Sequence, residues 1–149
     1  MYNFSSDKIF THHNETIFVK DYPYQHSHIE KFLPDNLIEK ICDNFYFPKE
    51  IDSTSDILFQ KTKRGLNDYK QFPEMIKNFI DHLNSREFVN ILEKKFNIQG
   101  LLPDPTLFGG GMHESRNGGY LKLHSDFIYI KKRKVKRILN LLIYLNKNW

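Results

Sequence analysis

Gly118-Gly119-Tyr120-Leu121-Lys122-Leu123-His124-Ser125-Asp126 leads from a pair of glycines into a His-x-Asp motif. Tyr120 to Asp126 alternates like a strand and is predicted as one. In a strand, residues two apart share a face. The imidazole of His124 and the carboxylate of Asp126 therefore converge on one side, and Ser125 turns away. One His and one carboxylate are two of the three ligands of the facial triad that holds non-haem Fe(II) with open coordination positions. The bland alternative is a hydrogen-bonded His–Asp pair without a metal, because a two-residue motif is short.

The surrounding segments extend this reading. Gly109-Gly110-Gly111 permits sharp bending or close approach of another backbone. No Lys-Ser/Thr and no helix follows these glycines, so they are not a phosphate loop. Leu101-Leu102-Pro103-Asp104-Pro105 is a rigid turn. Ile138 to Leu145 is apolar apart from Asn140 and is predicted as a strand buried on both faces. Between the two strands runs Lys131-Lys132-Arg133-Lys134-Val135-Lys136-Arg137, which carries much of the excess positive charge. It is expected to be a solvated loop joining strands. No nucleic-acid motif accompanies it, so nucleic-acid binding is not expected.

Upstream the period is helical. Pro34, Asp35 and Asn36 open a helix whose face is Leu37, Ile38, Ile41 and Phe45, with Pro48 as its expected stop. Phe72, Met75, Ile76, Phe79, Ile80 and Leu83 form a second stripe. Phe88, Val89, Leu92 and Phe96 form a third, with Ser85 as its N-cap. These stripes are core rather than cofactor contacts. Short extended pieces are predicted at Thr16–Lys20, His28–Phe32 and Asp56–Gln60. The first fifteen residues lack periodicity and are expected to be ragged. Helices first and antiparallel strands last give an α+β class.

The chain has 149 residues, enough for one domain with a core. A hydrophobic content of 40% with 27% charged residues fits a soluble globular protein, and no apolar run reaches a membrane span. No signal peptide is read at the N-terminus. Cys42 is the single cysteine, so no intrachain disulfide forms and a cytoplasmic setting is expected.

These residues, taken in order, resemble the 2-oxoglutarate- and Fe(II)-dependent dioxygenases of the prolyl-hydroxylase-like branch. Tyr22-Pro23-Tyr24 through Ile29, then Phe32-Leu33-Pro34-Asp35, resembles the family's N-terminal opening. Gly100 to Pro105 with Gly109 to His113 resembles the segment before its metal strand. Gly118 to Asp126, then Arg137 to Asn146 and Trp149, resembles the metal strand and its successor. The resemblance implies a partial double-stranded β-helix, jelly-roll or cupin-like, with N-terminal supporting helices. It implies His124 and Asp126 as iron ligands, and Tyr144 as a hydrogen-bonding partner of 2-oxoglutarate. The cofactors implied are Fe(II) and 2-oxoglutarate, with ascorbate as a further candidate. The reaction implied is hydroxylation of a C–H bond, using O2, on a protein prolyl residue or a small metabolite.

One departure is large. The family continues with a Gly-Gly strand, a second iron His and an Arg that clamps 2-oxoglutarate, and none of these follows Trp149. Residues 1–149 are therefore expected to form a single, C-terminally incomplete domain with weak or no activity of its own. Of the other histidines, His113 is the best placed, and on position alone it reads as an ordinary strand or loop residue. His26 and His28 read as surface residues near a turn, and His12 and His13 lie in the ragged segment. The alternative function is a non-catalytic remnant or interaction module of the same fold, self-associating through an exposed sheet edge.

Overall fold

The computed structural model describes residues 17–49, 54–56 and 60–146. The first fifteen residues with His12 and His13, the first residue of the strand expected at Thr16–Lys20, the middle of the strand expected at Asp56–Gln60, and Trp149 lie outside the described residues. Three helices form where the apolar stripes recur: α1 (Asp35–Asp43), α2 (Glu74–Leu83) and α3 (Arg86–Phe96). The strands are β1 (Thr54–Asp56), β2 (Gln60–Leu66), β3 (Met112–Leu121), β4 (Tyr129–Ile130) and β5 (Val135–Lys136). They build a sheet ordered β1-β2-β3 and a separate β4-β5 hairpin. The class is α+β, and the described strands close no barrel. No helix among the described residues is long and apolar enough to cross a membrane.

The described residues fall into two compact units, those within 1–48 and 66–112 and those within 49–65 and 113–149. The first unit holds the helices, and α2 touches both α1 and α3. Leu37, Ile41 and Phe88 are wholly buried there, with Ile76, Phe79 and Val89 nearly so. Local chemistry starts and stops these helices, and Ser85 caps α3 as the sequence predicts. Ser85 Oγ accepts a hydrogen bond from the Phe88 N–H at 3.2 Å, which satisfies one of the free donors at the start of α3. Asn97 ends α3 in the left-handed conformation, φ 52°, with its N–H donating to the Glu93 carbonyl. Pro73 and Glu74 open α2, and Tyr69 anchors the preceding turn by donating to Asp81 at 2.6 Å. That bond to a carboxylate pushes the Tyr69 phenol up to about 12.

Among the described residues His82 is the one buried polar residue of this core, 5% exposed, with its ring 6.0 Å from that of Phe88. Burial away from water disfavours the imidazolium and holds its pKa below the usual 6.5. The unfolded chain therefore binds a proton at higher pH than the folded one. His82 contributes no penalty above pH 6.5, and it costs stability progressively as pH falls below that value toward the folded pKa. The difference in unfolding free energy between the wild type and His82→Phe, measured from pH 8 to 5, is expected to be constant at the alkaline end. The wild type is expected to lose stability relative to the variant on acidification, and parallel profiles would contradict this account.

The glycine segment behaves as read. Gly111 has φ +100°, and a Cβ there would sit 3.0 Å from the Asn67 Cα and closer still to the Leu66 carbonyl oxygen. The backbone after β2 and the start of β3 pass too closely for any side chain. Asp104 builds the preceding turn, accepting from the Thr106 and Phe108 N–H groups at 3.1 and 3.0 Å.

In the second unit β1 and β2 pair antiparallel, with Thr54 opposite Lys63 and a bulge before Asp56 and Gln60. Arg64 of β2 reaches Glu114 of β3 at 3.4 Å. The basic run makes a turn, as expected. Lys131–Arg133 is a 3-10 turn between β4 and β5, with Tyr129 opposite Lys136 and Ile130 opposite Val135.

Several expectations are corrected. The strand expected over Tyr120–Asp126 ends at Leu121, and residues 122–128 belong to no strand. Leu123 is fully exposed, so no apolar layer holds the alternating face in a pleat. Ile138–Leu145 is neither a strand nor buried: Ile138 is 57% and Leu142 65% exposed. A run that is apolar on both faces is buried only where layers cover both, and every fully buried apolar residue described lies in the first unit. At the N-terminal end, only an isolated bridge between Lys20 and His26 replaces the strand expected at Thr16–Lys20, and His28–Phe32 is not a strand. Helix α1 stops at Asp43 rather than Pro48, because Asn44 caps it, its side chain donating to the Lys40 carbonyl at 2.8 Å.

Candidate metal centre

His124 and Asp126 meet even though no strand holds them. His124 Nε2 lies 3.3 Å from Asp126 Oδ1. Nδ1 of the same ring lies 2.7 Å from the Lys122 carbonyl oxygen. That oxygen only accepts, so Nδ1 carries the hydrogen. In the neutral ring the lone pair is then on Nε2 and faces a carboxylate oxygen, which also only accepts. Two facing lone pairs at this distance ask for a cation between them, a proton or a metal ion. Ligands bound at about 2.0–2.2 Å to one ion stand roughly 2.8–3.1 Å apart at a right angle and roughly 3.3–3.6 Å apart at the tetrahedral angle, so the observed 3.3 Å lies within the span open to two donors of one divalent cation.

The outer partners are those a metal site needs. A ligating His is usually oriented by a carbonyl or carboxylate on its other ring N–H, and a ligating carboxylate is itself hydrogen-bonded. The Lys122 carbonyl fills the first role. Arg137 fills the second, with Nη1 2.9 Å from Asp126 Oδ2. The Arg137 guanidinium also stacks 4.5 Å above the Phe127 ring. Both side chains are half exposed, 43% for His124 and 45% for Asp126, so the pair is open to solvent and to a small molecule.

Other residues expected at the site are placed differently. Tyr144 is 66% exposed on the segment after the hairpin, and most of its surface faces solvent. His113 sits on β3 with its ring against Gly65, 3.5 Å from where a Cβ there would lie. Among the described residues, no group of three or more His, Cys, Asp and Glu side chains is placed to hold a metal ion. The donors present thus fit a divalent cation as a two-residue set. Sequence reading passed over Arg137 as one more member of the basic run. The available signal was its position across a turn from Asp126.

Comparison of the chain with protein-family models, with curated proteins and with solved structures gives no match.

Proposed function

We propose that this chain carries the metal-holding pair of an Fe(II)- and 2-oxoglutarate-dependent dioxygenase of the prolyl-hydroxylase-like kind, with a partial double-stranded β-helix as its fold. The approach of His124 Nε2 to Asp126 Oδ1, with the tautomer set by the Lys122 carbonyl, carries the reading. When bound, Fe(II) supplies the redox centre at which O2 is reduced as 2-oxoglutarate is decarboxylated. The chain's own residues supply position. Lys122 holds the imidazole plane, Asp126 offers one oxygen to the metal, and Tyr144 is the proposed donor to 2-oxoglutarate. A single neutral hydrogen bond of that kind is worth about 0.5–1.5 kcal/mol. The substrate class proposed is a prolyl residue or a small metabolite, with ascorbate as a further cofactor and the cytoplasm as the location.

A second reading is a binding module of the same fold without chemistry. It is favoured by the exposure of Ile138, Leu142 and Tyr144, large apolar side chains close in sequence that a contact partner would cover. An anaerobic titration with Fe(II) and 2-oxoglutarate separates the two. The dioxygenase reading expects a saturable visible charge-transfer band, absent in Asp126→Ala. A wild-type chain without that band would leave only the binding module.

A further inference from the structure

We infer that Arg137 is the positioning residue of the metal pair, holding Asp126 so that a single oxygen is presented on the side of His124. The inference rests on the reading of His124 and Asp126 as ligands. Its basis is the division of labour on the Asp126 carboxylate. Oδ2 is taken by Arg137 at 2.9 Å, and Oδ1 stands 3.3 Å from His124 Nε2. A carboxylate pinned through one oxygen binds a cation through the other alone. It then occupies one coordination position rather than two, and it leaves more of the metal's positions to small molecules.

The hairpin exists in the right register to do this. The Arg137 N–H donates to the Ile128 carbonyl at 2.7 Å, which continues the β4-β5 ladder by one step beyond Tyr129 and Lys136. Residue 137 is thereby set beside residue 128, two positions past Asp126. Arg137 also differs from its basic neighbours. Its side chain is only 18% exposed, whereas Lys131, Lys132, Lys134 and Lys136 are exposed. The Phe127 ring beneath the guanidinium restricts where the fork points. The last cation of the run is thus turned inward, onto the carboxylate.

Charge and position predict opposite signs, which makes the test decisive. Deleting a positive charge near a cation site, by itself, tightens cation binding. Loss of a positioning partner loosens it, by about 10- to 100-fold for outer-shell partners of metal ligands. Mn(II) and Co(II) dissociation constants are to be measured for the full chain, Arg137→Met, Arg137→Gln, Lys136→Met and His124→Ala. The expected result is weaker binding by about 10- to 100-fold in both Arg137 variants. Lys136→Met, which deletes an equal charge from the same hairpin, should bind as the wild type does or slightly tighter. Circular dichroism identifies folded variants, and Arg137→Gln decides if Arg137→Met does not fold. Wild-type or tighter affinity in a folded Arg137 variant, with binding still lost in His124→Ala, overturns the positioning role alone. A wild-type chain that binds neither metal overturns the ligand assignment and this inference together.

Discussion

His124→Ala is expected to weaken divalent-metal binding by at least about 100-fold, beyond what loss of an outer-shell partner costs. The pair has only two protein donors among the described residues, so removing one leaves a lone carboxylate. A half-exposed carboxylate already shared with Arg137 holds a cation little better than solvent does. Asp126→Ala is expected to cost as much. The double variant should be no worse than either single one, because both residues act on one ion and their effects are not additive. His113→Ala is the matched control. It removes an imidazole from β3 that has Ser115, not a carboxylate, two positions on, and affinity should not change. Equal affinity in wild type and His124→Ala, measured by Mn(II) titration, would remove the metal centre. A loss in His113→Ala comparable to that in His124→Ala would instead make His113 a ligand.

Phe88→Ala is expected to cost about 3–5 kcal/mol of folding stability, in the range for large aromatic truncations in a core. Phe88 is wholly buried. Its ring meets Phe32 edge-on at 6.2 Å and His82 at 6.0 Å, so three segments of the first unit converge on it. Alanine leaves a cavity bounded by groups held on separate elements, which cannot all close in. Domains are typically stable by only about 5–15 kcal/mol, so such a loss takes a large share. Urea unfolding followed by far-UV circular dichroism measures it. Phe88→Leu, which refills most of the volume, should cost much less. A Phe88→Ala loss below about 1 kcal/mol would mean that the helices do not share this core.

The helices and the approach of His124 to Asp126 were legible in sequence for the same reason: each depends on residues a few positions apart. The stripes through Ile76 and Phe79, and through Phe88 and Phe96, follow from a 3.6-residue period, and Ser85 caps the N–H of Phe88 three positions on. His124 and Asp126 were brought together by a two-residue spacing that survives without a strand around it. That the chain turns at Lys131–Arg133 was legible as well, but the strands that flank the turn, Tyr129–Ile130 and Val135–Lys136, were not the ones expected.

Burial and long-range pairing were decided by tertiary structure alone. The sequence of Ile138–Leu145 is that of a fully covered strand, yet covering requires layers, and periodicity cannot report whether they are present. The close pass of Gly111 over Leu66 spans 45 positions of chain, and nothing local to either residue announces it. Arg137 is the clearest case. In sequence it is one of six cations in seven residues, and its four lysine neighbours are exposed. Only the register of a short hairpin sets it beside Asp126, because an ion pair across eleven positions exists when the backbone between them folds back and not otherwise.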